Sequence, residues 1–391
     1  MPPVGRWSRV LLAAIAGVGS LALVAFTTGR EPDSREALVQ GDQILRGRTL
    51  VLSHACSGCH SGMFDPAMDG YLSGSQGPQT DFTIMGKKTR PANLTPDKET
   101  GIGRYSDRQI FNALRYGLRP KDTPDVEITS STPGQGNFPA TPKYLAPPMP
   151  WPAWRHMSDA ELWAIVAYLR RGVKPVVNKV VESEAPPDAW ASWYQAIGAY
   201  PAVPFPTVNE VASAAGDEAV QRGRQLVIDH DCGDCHGGGW DRPDSAGWLA
   251  GARTPADTFM IGEFVTRARN LTPDNLTGMG RFSERQIFNA LRFGLRPGET
   301  PDVEITSTVP GQGNFPAHPK YLAPPMPWPA WRHMSDQELR DIAAYLKRGL
   351  KPVRNKVLDS EGPPDFWASG YTPDKIGPWP ATPFPTAKEN R

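Results

Sequence analysis

The sequence predicts a mainly α protein made of two tandem copies of one domain, with long Pro/Gly-rich loops and one N-terminal transmembrane helix. Three observations carry this reading. A stretch of about 170 residues occurs twice. Helix start and stop signals recur at matching places in both copies. The 42 prolines and 38 glycines make up about a fifth of the 391 residues, against roughly 12% in an average chain. That excess falls short of the ~25–30% typical of low complexity. It points to a folded chain with much irregular backbone, organised partly by something other than secondary-structure packing.

The first element is the uncharged run at 10–26, preceded by Arg6 and Arg9 and followed by Arg30, Glu31 and Asp33. As a helix it spans about 26–28 Å, close to the ~30 Å hydrocarbon layer. It is longer than the ~7–15-residue apolar part of a secretion signal, and Leu23-Val24-Ala25 makes a poor cleavage site. An uncleaved single-pass anchor is therefore expected over 1–30, with a cleaved signal as the alternative. In both cases the basic flank stays inside and the body is exported. Formal net charge is +1, from 42 basic and 41 acidic side chains. Such balance argues against a nucleic-acid binder driven by bulk charge.

The repeat sets the domains. Residues 108–157 and 285–334 are identical at about 44 of 50 positions, and the similarity extends through NKVVESEAPPDAWAS (178–192) and NKVLDSEGPPDFWAS (355–369) to PFPT at 204–207 and 383–386. The offset is 177 between 108–157 and 285–334 and 176 at the cysteines, so one residue is gained or lost between them. The expected layout is a first domain at 31–208 with a Pro-rich tail, a linker at 209–216, and a second domain with its own tail at 217–391.

Within each copy three main helices are expected. QILRGRTLVL and AVQRGRQLVI lie in the first helix of each copy, with Gly47 and Gly223 nine residues before the first cysteine. A glycine there lets another helix approach closely. Middle helices start at Ser106-x-x-Gln109 and Ser283-x-x-Gln286, both capping boxes. Final helices start at Ser158-x-x-Glu161 and Ser335-x-x-Glu338. Leu162, Ile165 and Leu169, and likewise Leu339, Ile342 and Leu346, follow at helical spacing. Gly172 with Pro175, and Gly349 with Pro352, are stop signals. The final helix is the expected partner of the glycine.

All four cysteines fall in two identical patterns, Cys56-Ser57-Gly58-Cys59-His60 and Cys232-Gly233-Asp234-Cys235-His236. Cys-x-x-Cys-His is the attachment signature of c-type haem. Two thiols three positions apart on a helical turn can each form a thioether with one porphyrin vinyl group, and the adjacent imidazole reaches the iron. A redox disulfide does not require the histidine, a zinc site would need ligands gathered across domains, and two structural disulfides are possible by count. The duplication, the absence of a leftover cysteine and the export segment favour two covalent haem c groups.

This arrangement resembles the class I cytochrome c domain: a helix leading into Cys-x-x-Cys-His, a Pro-rich loop offering a methionine, and a final helix bearing Ala167-Tyr168-Leu169 or Ala344-Tyr345-Leu346. More narrowly, NLTPDKETGIGRYSDRQIFNALRYG (93–117) and NLTPDNLTGMGRFSERQIFNALRFG (270–294) are similar to the cytochrome subunits of membrane-bound periplasmic alcohol and gluconate dehydrogenases. Those subunits usually carry three haems; this chain has two motifs. The resemblance covers both repeats and none of the first 40 residues.

The resemblance implies His60 and His236 as proximal iron ligands and a methionine opposite each. Met149 and Met326, in PPMPWP, are the expected sixth ligands, on Pro-stiffened loops nine residues before the final cap. Met157 and Met334, just before the cap, are the second candidates, with a hydrophobic staple as their ordinary role. His156 and His333 come third. His54 and His230 read as surface or haem-edge residues. His318 has Thr141 at its repeat equivalent, so no shared haem role is expected. Trp151, Trp154, Trp328, Trp331, Tyr144 and Tyr321 are expected to pack against porphyrin.

The expected function is electron carriage, from a dehydrogenase to a quinone, another cytochrome or an oxidase, rather than catalysis at the iron. A dihaem peroxidase-like enzyme is the alternative. It requires one haem unlike the other, whereas the two copies are nearly identical around the candidate ligands.

Overall fold

The computed structural model describes residues 34–84, 86–184, 190–191, 194, 202–254, 257–362 and 366–390. The apolar run at 10–26 lies outside them. Among the described residues no helix is long and apolar enough to cross a membrane.

The first repeat contains α1 (Ser34–Ser53), α2 (Cys56–His60), α3 (Asp107–Tyr116), α4 (Trp151–Trp154) and α5 (Asp159–Ala167), with a hairpin of β1 (Phe82–Ile84) and β2 (Lys87–Thr89). The second contains α6 (Glu218–Asp229), α7 (Cys232–His236), α8 (Glu284–Phe293), α9 (Trp328–Trp331), α10 (Asp336–Ala344) and α11 (Pro373–Ile376), with β3 (Thr258–Ile261) and β4 (Phe264–Arg267). Both hairpins are antiparallel; Thr83 faces Lys88, and Phe259 faces Thr266. The mainly helical class expected from the sequence is borne out.

All four capping boxes form. Ser106, Ser158, Ser283 and Ser335 each accept from the backbone N–H three residues on, and the Gln or Glu there returns a bond to the cap N–H. α3 and α8 stop at Gly117 and Gly294, whose φ values of 67° and 68° suit glycine. α5 and α10 each run on into one π-helical turn, Tyr168–Gly172 and Tyr345–Gly349.

The glycine contact is the one the sequence predicts. α1 packs on α5, and α6 on α10. A Cβ on Gly47 would lie 1.9 Å from the Ala164 carbonyl oxygen, and one on Gly223 would lie 1.8 Å from that of Asp341. Around the first crossing Ile44, Val51, Leu72, Phe111, Leu162 and Tyr168 form one buried cluster. Val220, Val227, Trp248, Phe288, Leu339 and Tyr345 form its counterpart.

The repeats also grip each other. α1 touches α9, and α4 touches α6. Arg46 reaches both Glu161 at 3.0 Å and Glu338 at 3.5 Å. The PFPT segments cross over. Thr207 and Asn209 donate to the Pro243 carbonyl, and Val211 N–H donates to Gly349. Reciprocally, Thr386 donates to the Pro66 carbonyl, and Asn390 N–H donates to Gly172. Each PFPT segment therefore lies on the repeat other than the one it follows in sequence.

Candidate functional site

Both Cys-x-x-Cys-His motifs are five-residue helices entered through a left-handed residue: Ala55 at φ 55°, ψ 27° before α2, and Asp231 at φ 58°, ψ 32° before α7. A non-glycine residue there costs of order 1–2 kcal/mol. That residue breaks the long preceding helix and turns the motif onto a new axis. The exits are equally specific. Leu72 N–H donates to Ser61 and Gly74 N–H to His60, at 2.8 Å each; Leu249 N–H donates to Gly237 at 2.8 Å and Gly251 N–H to His236 at 2.7 Å.

His60 and His236 are buried. His60 Nδ1 bonds the Ala92 carbonyl and His236 Nδ1 bonds the Arg269 carbonyl, both at 2.6 Å. A carbonyl only accepts, so Nδ1 carries the proton and Nε2 keeps its lone pair, the arrangement of a metal-ligating imidazole. Burial lowers both imidazoles below their ordinary value, which keeps that lone pair free of a proton. The carbonyls were not singled out in the sequence, although the repeated Asn-Leu-Thr-Pro after them was. In the structure Asn93 donates to the Val176 carbonyl and accepts from Thr95, and Asn270 does the same with Val353 and Thr272, fixing the loop that carries each carbonyl.

None of the four cysteines is in a disulfide; Cys56 and Cys232 are half-buried, and Cys59 and Cys235 exposed. Burial pushes the half-buried Cys56 up to about 12, which is not the acid-shifted thiol of a disulfide oxidoreductase. Among the described residues no group of three or more His, Cys, Asp or Glu side chains is gathered to hold a bare metal ion. Two cysteines one turn apart and outside any disulfide, followed by an oriented imidazole, fit a covalently attached haem.

The methionine candidates separate by burial. Met149 and Met326 are half-buried and pack at the edges of the same clusters that Cys56 and Cys232 touch. Met157 and Met334 are only 2% and 3% exposed and sit within those clusters, beside Leu162 and Leu339, in the staple position of each final helix. His156 Nε2 bonds Asp241 of the second repeat at 2.6 Å, while His333 lies 5.4 Å from the Trp379 ring. His318 is exposed.

His54 and His230 differ from a surface reading: they stack on each other between the repeats, and no solvent reaches either Nε2. The aromatic residues pack largely on one another. Tyr144 stacks on Trp151 and Tyr321 on Trp328, at 5.6 and 5.7 Å, with Tyr194 and Tyr371 closing each group edge-on.

No family model matches the chain. It is 28% identical over 366 residues to the gluconate 2-dehydrogenase cytochrome c subunit of Pantoea cypripedii, covering 90% of this chain and 68% of that one. It is 28% identical over 343 residues to the alcohol dehydrogenase (quinone) cytochrome c subunit of Gluconobacter oxydans, covering 85% of this chain and 59% of that one. A diheme cytochrome c-type protein of Cereibacter sphaeroides is 25% identical over 315 residues, 78% of this chain and 84% of that one. The chain thus spans about three fifths to two thirds of these two dehydrogenase subunits. The resemblance drawn from the sequence is borne out: the relatives over most of its length are named as cytochrome c subunits of dehydrogenases.

Proposed function

We propose that the chain is a dihaem c-type cytochrome that carries electrons between a dehydrogenase and a quinone, another cytochrome or an oxidase. The observation that carries this is the pair of Cys-x-x-Cys-His helices with His60 and His236 held in one tautomer by backbone carbonyls, each at 2.6 Å. The names of the relatives support electron transfer by a cytochrome and a dehydrogenase as partner.

In this reading Cys56 and Cys59 hold one haem and Cys232 and Cys235 the other. A bound haem supplies a one-electron Fe(III)/Fe(II) couple. The protein holds the imidazoles, excludes water and offers Met149 and Met326 as sixth ligands, which raise the potential of a c-type haem. The proposed units are a haem domain at 31–208 and another at 217–391, joined at 209–216. The run at 10–26 is proposed as a single-pass anchor in the bacterial inner membrane, with the haem domains in the periplasm; cleavage there would instead release them into the periplasm.

Haem stoichiometry tests this. The purified protein should hold two haems per chain that resist acid–acetone extraction, and replacing Cys56 and Cys59 with Ala should leave one. A colourless protein, or haem removed by extraction, would overturn the reading.

A further inference from the structure

The crossed PFPT segments end in two buried carboxylates. Glu389 and Glu210 have no exposed side-chain surface. Glu389 pairs with Arg48 Nε at 2.6 Å and accepts from the Tyr168 hydroxyl. Glu210 pairs with Arg224 Nε at 2.7 Å and accepts from the Tyr345 hydroxyl at 2.6 Å. In each case the acid lies three residues past the PFPT segment that closes one repeat, and the arginine and tyrosine belong to the other.

Each carboxylate is wired toward a haem motif. The Tyr71 hydroxyl lies 3.3 Å from that of Tyr168 and donates to it, because the single Tyr168 proton goes to Glu389. Tyr71 lies against Gly62, two residues past His60: a Cβ on Gly62 would sit 2.6 Å from the Tyr71 Cα. Burial holds the Tyr71 hydroxyl well above its ordinary value, and Glu389 stands near enough to raise it further. In the second repeat Trp248 Nε1 donates to the Tyr345 hydroxyl at 3.0 Å, and the Trp248 ring lies on Gly233, inside the motif.

We propose that Glu389 and Glu210 are positioning charges that lower the reduction potential of the haem in the opposite repeat, so that docking of each PFPT segment sets the other repeat's potential. This rests on the dihaem reading above. A buried negative charge favours the ferric over the ferrous state, because the oxidised iron carries one more positive charge. The electrostatic interaction is weakly screened where water is excluded.

The test is a redox titration of the full-length dihaem protein, with the two haems followed separately by the NMR shifts of their methyl groups. E389Q should raise the potential of the Cys56/Cys59 haem, on the order of tenfold in the Fe(III)/Fe(II) equilibrium or ~59 mV for one electron, and leave the other in place. E210Q should do the reverse. The double variant R48M/E389Q, which removes both charges of the pair, should return the first potential toward the parent value. It also keeps the test open if E389Q alone unfolds around an unpaired Arg48. A shift confined to the haem of the same repeat, equal shifts at both, or none would overturn the proposal. So would a double variant shifted as far as the single. A protein without haem would instead sink the dihaem reading.

Discussion

His54 and His230 stack face to face, ring centroids 4.2 Å apart and planes 24° from parallel, each two residues ahead of the first cysteine of its motif. They are repeat equivalents, so the stack marks an approximate two-fold relation between the halves. Each Nδ1 bonds a carbonyl one helical turn back, Leu50 or Leu226, at 2.9 Å. Trp154 and Trp331 close the two sides edge-on.

This stack predicts a pH dependence. Burial lowers His54 to about 3, with His230 adding to the effect, the Leu50 carbonyl and Glu161 opposing it, and Arg46 contributing least; burial lowers His230 to about 4, with the Leu226 carbonyl opposing and Arg46 assisting. Above about pH 6.5 both rings are neutral whether folded or not, and the stabilisation is complete. As pH falls toward 4 the unfolded chain takes up protons that the folded one refuses. Stability should then drop by about 1.4 kcal/mol per pH unit per ring. Asp229 and Asp231, held above the carboxylate range by burial, act in the opposite sense, so the comparison needs a variant. Denaturant unfolding of H54F/H230F between pH 7 and 5 should show a flatter slope than the parent; an equal slope would remove the histidines as its source.

The helix crossings predict a second result. Gly47 and Gly223 meet backbone carbonyls rather than flexible side-chain ends, so an added methyl can be relieved only by moving a helix. G47A and G223A should each destabilise by about 1–3 kcal/mol, the usual cost of overpacking. The gain in helix propensity offsets at most ~1 kcal/mol of it. Thermal unfolding checks this, with G41A as the control, because nothing lies within 4 Å of that position.

What the sequence made legible was the local code. The capping boxes, the glycine ahead of each motif and the Cys-x-x-Cys-His spacing are all specified within a few residues, and each repeats, which doubles the signal. The histidine stack was missed because its geometry depends on how two domains meet, and no spacing along one chain encodes that. The buried pairs of Glu389 with Arg48 and Glu210 with Arg224 were missed for the same reason, although the repeated Glu three residues after each PFPT was visible. Thr207 N–H and Thr386 N–H bond those same glutamates at 2.8 and 2.9 Å, so a local turn motif was in view; its buried partner was not.

One of the differences between the two motifs is matched by a change outside them. Ser57 and Tyr71 in the first repeat correspond to Gly233 and Trp248 in the second. A Cβ on Gly233 would fall 2.2 Å from the Trp248 ring and 2.4 Å from the Gly239 carbonyl oxygen, so both the larger ring and the loop need the glycine. G233S should destabilise the second repeat by about 1–3 kcal/mol, and adding W248Y should recover the part of that loss due to the ring. A double-mutant cycle by denaturant unfolding measures the coupling; additive effects would mean the two positions are independent.

The sixth ligand is the sharpest test of the site. Met157 and Met334 are sealed in the core at the staple position, where removing the side chain opens a cavity and costs about 2–5 kcal/mol. Met149 and Met326 are half-buried on loops between prolines, where truncation should cost less in packing. The two pairs therefore predict opposite patterns. M149A and M326A should each remove one equivalent of the red-region absorbance of a methionine–iron bond and lower that haem's potential, with a modest loss of stability. M157A and M334A should leave spectrum and potential in place while lowering the unfolding midpoint markedly. If M157A erases the methionine–iron band and M149A does not, the ligand is the staple residue, and the Pro-stiffened loop serves only to cover the haem edge.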